Sequence, residues 1–230
     1  MRTVALICAA GSQERWERSG GKGRKQLIEI DGEPIIRRLY RLASLYADEI
    51  VTLVRDPSDP CWEGLNPQRP AHKKWMGDLG KFLDGRPYWP QEGRVVVLYG
   101  DAYYSEDTVR TIFEHAPDQP TVYGRAQKGR SESFGFAFRV PQDVAEVERI
   151  CLEVCKHPSL IKRGGPWRFF WHRHTGGTKY TKRERRKLTS LATPENGWIE
   201  VGHDDTDDFD TSADLSSWRA RHRRNAKVAA

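Results

Sequence analysis

The chain has 230 residues, 37% hydrophobic and 30% charged, with 38 Lys and Arg against 32 Asp and Glu. Eight Trp, eight Tyr and eight Phe supply enough large apolar side chains for a core, which excludes wholesale disorder. No apolar run approaches the roughly 18–20 residues that span a bilayer, the start lacks a signal-peptide cleavage region, and Cys8, Cys61, Cys151 and Cys155 complete no zinc pattern, so a cytoplasmic protein with reduced thiols and no membrane partner is expected.

Residues 3–10, TVALICAA, form a continuous apolar run that predicts a buried parallel strand. A polar loop rich in Gly and basic residues follows over 11–26, and Asp31-Gly32 then marks a turn. Over 34–46 the residues Ile35, Ile36, Leu39, Leu42, Leu45 and Tyr46 keep helical spacing, with Pro34 suited to the first turn. A second strand is predicted over 50–54. Strand, basic loop, helix, strand is how an α/β fold with a parallel sheet begins. The Pro- and Trp-rich stretch 55–93 predicts an irregular packed lid around one short helix near 71–83. Residues 94–99, RVVVLY, predict a third buried strand running into Gly100-Asp101. Ser105 suits the N-cap of a helix reaching His115, with Val109, Ile112 and Phe113 toward the core. TVYGRA and GFAFRV read as short strands, and 141–156 as an amphipathic helix. Residues 166–171, PWRFFW, form an aromatic patch, and 179–191 a basic helix. A last strand at 198–201 leads into an acidic run. The helix from about Thr211 carries Arg219, Arg221, Arg223 and Arg224, read as a frayed end.

Charge is segregated late in the chain. Ten Lys or Arg and one acid lie between Lys162 and Lys187, and six Asp with no Lys or Arg between Val201 and Asp214. Carboxylates so close repel unless solvated or neutralised by a cation or a basic partner. Thr211 or Ser212 capping the next helix, with Asp214 in its first turn, uses one or two of them and leaves Asp207, Asp208 and Asp210.

Two earlier constellations carry chemistry. Ala9, Ala10, Gly11 and Ser12 follow the first strand, and Arg15 and Lys25 come after them. In open α/β sheets ligands bind outside the carboxyl ends of the strands. A glycine there lets backbone N–H groups approach phosphates, and Arg and Lys add charge-assisted contacts. Neither a Walker loop nor a dinucleotide-binding fingerprint is present. Asp101, after Gly100, is placed to hold Mg²⁺ or Mn²⁺ against a nucleotide's phosphates; Gly-Asp after a strand is also a common turn.

LICAAGSQERW…KQLIEIDGEPIIRRL, YGDAYYS and DDFDTSADL, in that order, resemble the nucleotidyltransferases of glycosyltransferase-A-like fold. That family includes molybdenum-cofactor guanylyltransferase-like and sugar-phosphate nucleotidylyltransferases, and the chain is also similar to compact phage-encoded members. The resemblance implies an α/β three-layer sandwich with a mixed, mostly parallel sheet. It implies that Ala9, Ala10, Gly11, Ser12 and Gly100 approach the nucleotide, and that Arg15 and Lys25 hold its phosphates. It implies Mg²⁺ (or Mn²⁺) on Asp101 and Asp210, with Asp208 a second candidate for the late ligand. Catalysis would then rest on Arg15, Lys25, Asp101 and Asp210. The chain departs from the family where the usual Gly-x-Gly becomes Gly11-Ser12-Gln13-Glu14, and where Arg24 replaces the proline before Lys25.

One domain is expected: a nucleotide-binding half over 1–54, the insert 55–93, a metal-site region over 94–160 and a basic acceptor side over 161–230. The leading reading is Mg²⁺-dependent nucleotidyl transfer from an NTP to a phosphorylated, sugar-type acceptor, with pyrophosphate release. The alternative is a glycosyltransferase that uses a sugar nucleotide on a modified base in DNA. A third reading is a basic nucleic-acid-binding protein without catalysis. For the last two, Lys179, Lys182, Arg183, Arg185, Arg186 and Lys187 would face the nucleic acid.

Overall fold

The computed structural model describes residues 1–11, 13–71, 77–127, 130–157, 165–177 and 188–229; in it the first apolar run is β1 (Thr3–Cys8), buried at every position. A hairpin of β2 (Glu29–Ile30) and β3 (Glu33–Pro34) turns at Asp31-Gly32. The strand β4 (Glu49–Leu53) lies beside β1, and β5 (Pro67–Gln68) lies beside β4 at the sheet edge. On the other side of β1 come β6 (Gly93–Tyr99), β9 (Arg130–Val140), β8 (Thr121–Gln127) and β10 (Trp198–Glu200). The pairings of β9 with β6 and with β8 are antiparallel and every other pairing in this seven-stranded sheet is parallel, so β9 alone runs in reverse. Apart from this sheet, β7 (Ala102–Tyr103) pairs antiparallel with β11 (Asp207–Asp208).

Helices cover both faces, so the strands are apolar on both. From β1 and β6, Val4, Leu6, Val95 and Val97 join one core with Phe82 of α3 (Gly77–Asp84), Ile150 of α5 (Val144–Cys155) and Phe169 of α6 (Gly165–Thr175). Their alternates Ala5, Ile7, Val96 and Leu98 join a second core with Leu39 of α2 (Ile35–Ala43) and Ile112 of α4 (Glu106–Glu114). This alternation of period two makes a three-layer α/β sandwich with a mixed, mostly parallel sheet, as expected. Each fully buried aliphatic or Phe side chain contributes about 1.5–3 kcal/mol. A third, smaller core sits outside the sandwich: Trp16 of α1 (Glu14–Arg18), Ile28, Ile30, Ile35 and Tyr103 pack with Phe209, Leu215 and Trp218, the last two from α7 (Ser212–Ala229).

Several elements differ from expectation. The loop 11–26 contains α1, and the stretch 55–93 contributes the edge strand β5. The aromatic patch PWRFFW is the body of α6, buried from Gly165 to His172. The helix predicted over 34–46 ends at Ala43. The arginines read as a frayed end belong to α7, which continues to Ala229, and two of them are anchored: Arg219 donates to the Glu29 carbonyl at 3.2 Å and Arg221 to Asp207 at 2.6 Å. The predicted basic helix over 179–191 lies outside the described residues up to Lys187.

Candidate active site

After β1 the chain crosses to β4 on one side and later returns to β6 on the other. The carboxyl ends of β1 and β6 therefore flank the point where strand order reverses, the place where open α/β sheets bind ligands. Two segments emerge there. One is Ala9-Ala10-Gly11, running toward Lys25; the other is Gly100-Asp101. They are locked together, since Gly100 N donates to the Cys8 carbonyl at 3.0 Å. A Cβ at Gly100 would stand 3.0–3.2 Å from side-chain atoms of Ala9, Ile36 and Ile7, so glycine lets the turn sit close to β1 without displacing them. Arg55 Nε donates to the Ala10 carbonyl at 3.1 Å and braces the loop from β4.

Lys25 opens a single 3-10 turn (Lys25–Leu27) and is held on both sides. Its own N–H donates to Gln13 Oε1 at 2.7 Å, and the neighbouring Gln26 donates to the Ala9 carbonyl at 3.1 Å. Before it, Arg24 pairs with Asp59 and lies 5.2 Å over the Trp62 ring. The side-chain anchor of Arg24 thus steadies the turn that presents Lys25, and it draws Asp59 and Trp62 of the 55–93 stretch into the site's support.

The Lys25 side chain is 5% exposed and its Nζ faces three carboxylates: Asp101 at 3.1 Å, Asp208 at 3.6 Å and Asp210 at 3.7 Å. Burial alone would lower the Lys25 pKa; the three acids, Asp101 foremost, outweigh it and hold the ammonium above its ordinary value. Arg15, largely exposed, pairs with the other oxygen of Asp210. Asp208 differs from its neighbours. Its side chain is 41% exposed overall, yet Oδ1 is buried without a hydrogen-bond partner. Desolvation, then the adjacent Asp101 charge, pushes this carboxyl well above the usual range despite Lys25.

The acidic run sorts into anchors and site residues. Asp204 accepts from Ser105 and from Thr206 N, Asp205 pairs with His222, and Asp214 accepts from Thr211 N and Oγ1 at the start of α7. Asp207 is buried against Arg125 and Arg221. Because successive strand residues point to opposite faces, Asp208 then turns the other way, to Lys25 and Asp101. Asp208 and Asp210 are what remains for the site. Pairing of Asp208 with Ala102 carries the late acids across to Asp101.

A sequence profile of the MobA-like NTP transferase domain matches residues 5–168. The chain belongs to this family. It is therefore a transferase of the nucleotidyltransferase class. No curated protein sequence matches this MobA-like chain. Among solved structures it is similar to the inositol-1-phosphate CTP transferase of T. maritima, at 14% identity and TM-score 0.52, covering 83% of this chain and 95% of that one. It is similar to the CTP:phosphocholine cytidylyltransferase of Streptococcus pneumoniae, at 12% identity and TM-score 0.51, covering 94% and 97%. A Bacillus anthracis protein described as a candidate glucose-1-phosphate thymidylyltransferase gives TM-score 0.55 at 14% identity, covering 96% and 95%. At these identities the likeness is one of fold.

The MobA-like chain thus brings Arg15, Lys25, Asp101, Asp208 and Asp210 together beside Ala9, Ala10, Gly11 and Gly100. Ser12 and the basic set Lys179, Lys182, Arg183, Arg185, Arg186 and Lys187 lie outside the described residues. No described helix is long and apolar enough to cross a membrane. Among the described residues no three or more His, Cys, Asp or Glu form a ready metal cage; the three carboxylates converge on an ammonium instead. Their chemistry still fits a hard divalent cation, being all carboxylate oxygen, with one buried oxygen of Asp208 that makes no hydrogen bond. Sequence reasoning missed Gln13 and Arg125 as supports of the site, and it left Asp207 among the unassigned acids where the structure pairs it with Arg125 and Arg221. A lone polar residue in a loop or strand carries no periodic signal that could have marked them.

Proposed function

We propose that this chain transfers a nucleotidyl group from an NTP to a phosphorylated small-molecule acceptor, releasing pyrophosphate, with Mg²⁺ (or Mn²⁺) as cofactor. The observation that carries the reading is the convergence of Asp101, Asp208 and Asp210 on Lys25 at the carboxyl ends of β1 and β6. The acceptor class is supported by the fold relatives, whose names pair CTP with inositol-1-phosphate or phosphocholine, or name glucose-1-phosphate.

Asp101, Asp208 and Asp210 would hold the divalent ion, which would offset the negative charge of the phosphate oxygens. Lys25 and Arg15, now paired with carboxylates, would turn to the phosphates, Lys25 as a point charge and Arg15 as a planar fork. Backbone at Ala9, Ala10, Gly11 and Gly100 would line the nucleotide's approach. An acceptor phosphate oxygen forms its bond to the α-phosphorus as the bond to the bridging oxygen breaks, and the electron pair leaves with pyrophosphate. No protein nucleophile is required; the residues position the reactants and balance charge.

The test is pyrophosphate release from each of the four common NTPs with inositol-1-phosphate, phosphocholine and glucose-1-phosphate. Release is expected to need one acceptor and Mg²⁺, to stop in EDTA, and to fall about a hundredfold or more in Asp101→Asn and Lys25→Ala. NTP binding without release under any pairing would overturn the reading.

A further inference from the structure

The strand that delivers Asp208 is two residues long and pairs with only two residues of β7, too short to hold itself in register. Register is decisive here, because a slip of one residue would turn Asp208 away and bring Asp207 round. What holds it is Asp207, whose side chain is 4% exposed. Its Oδ1 accepts from Arg125 at 3.1 Å and its Oδ2 from Arg221 at 2.6 Å, and Asp208 N donates back to the same Oδ1 at 3.2 Å.

The two arginines reach Asp207 from different layers. Arg125 lies on β8 just past the register shift at Tyr123 and Gly124, the kind of irregularity that re-aims a side chain. It is fixed by Glu132, by donation to the Gly202 carbonyl at 2.6 Å, and by the Phe134 face 5.3 Å away. Arg221 comes from α7, where Trp218 packs 4.8 Å from the ring of Tyr103, the strand partner of Asp207. Both Asp207 and Arg221 lie beyond the residues 5–168 that the family profile matches.

We infer that Arg125 and Arg221 are positioning residues that grip Asp207 from the sheet and from the C-terminal helix, and thereby aim Asp208 at the metal and nucleotide site. This rests on the reading of Asp208 as a metal ligand. Outer residues that orient metal ligands change metal affinity by about 10–100-fold when removed.

The test is titration of the full chain with Mn²⁺ alone, following free Mn²⁺ by electron paramagnetic resonance, at a temperature where each variant is folded by circular dichroism. Arg221→Ala is expected to weaken Mn²⁺ binding about tenfold, with Arg221→Lys recovering most of it, since one donor reaches Asp207. Asp207→Asn should behave like Arg221→Ala. Arg219→Ala, on the same helix but bonded to the Glu29 carbonyl, should match wild type. Arg125→Ala belongs to the series only if it folds; Arg221 is partly exposed, so its variants keep the test decisive. Wild-type binding with equal affinity in Arg221→Ala and Asp207→Asn would overturn the clamp alone. Absence of Mn²⁺ binding in the wild type would overturn the metal-site reading and the clamp with it.

Discussion

Lys25 makes three acids tolerable. Asp101, Asp208 and Asp210 would repel one another across a few ångströms, and the ammonium placed among them offsets that repulsion. Lys25→Ala is expected to cost about 2 kcal/mol of stability, less than the 3–5 kcal/mol of a fully buried pair because the carboxylates are partly exposed. The loss should narrow at high salt as the repulsion is screened. Urea unfolding at two ionic strengths checks both statements, and an unchanged midpoint would mean that the acids do not depend on this cation. A second residue acts through shape. A Cβ at Gly21 would overlap the Trp16 indole, which is buried in the third core. Gly21→Ala should therefore displace the ring, cost about 1–3 kcal/mol, and shift tryptophan emission to the red.

Short elements carry the site, and each is tied down by side chains rather than by its own length. The N-cap of α4 shows how: Ser105 Oγ accepts from Thr108 N at 3.0 Å and donates to Asp204, while Ser105 N donates to Thr206 Oγ1 at 3.0 Å. One serine starts a helix and anchors the loop that carries the late acids. Ser105→Ala should cost about 1 kcal/mol, lowering Tm by about 2–4 °C for a chain of this size; an unaltered melting curve would detach the cap from the loop. Elements with a long repeat were legible. Ile36, Leu39 and Leu42 of α2 and Val109, Ile112 and Phe113 of α4 face the core where their spacing placed them, whereas Leu45, past the end of α2, is exposed. The two-residue strands β5, β7 and β11 have no repeat to read, and α1 has Trp16 as its one buried residue. In α6 the aromatic residues are buried all round, so no stripe distinguishes a helix from a strand.

Across the whole molecule, charge that looks separated in sequence is paired in space. The acidic run meets Lys25, Arg15, Arg125, Arg221 and His222, drawn from the first loop, the sheet and α7. Two other histidines make stability depend on pH. Burial lowers the pKa of His115, beside Tyr123, and of His174, beside Phe170 and the Asn196 carbonyl. Below the ordinary histidine pKa of about 6.5 the unfolded chain takes up protons that these folded rings refuse. Their contribution is complete above that pH and is lost as pH falls through the lowered folded values. Tm should decline between about pH 7 and 5, and less steeply in His115→Gln and His174→Gln; parallel curves for wild type and variants would show that other groups govern the acid limb.

The sequence by itself was enough for the α/β class, the buried strands β1, β4 and β6, the helices α2, α4 and α5, the loop after β1, and Asp101 at a strand end; β9, read as a short strand, is eleven residues long. Those features depend on apolar periodicity, turn chemistry and order along the chain, all of which are local. Which of the six late aspartates reach Asp101 was settled only by tertiary structure. That choice depends on a two-residue strand pairing, on Arg125 and Arg221 claiming Asp207, and on a C-terminal helix packed over Trp16 and Tyr103. Contacts between residues some two hundred positions apart leave no periodic trace in a single sequence, and like-charged neighbours are told apart only by the partners they meet in the fold.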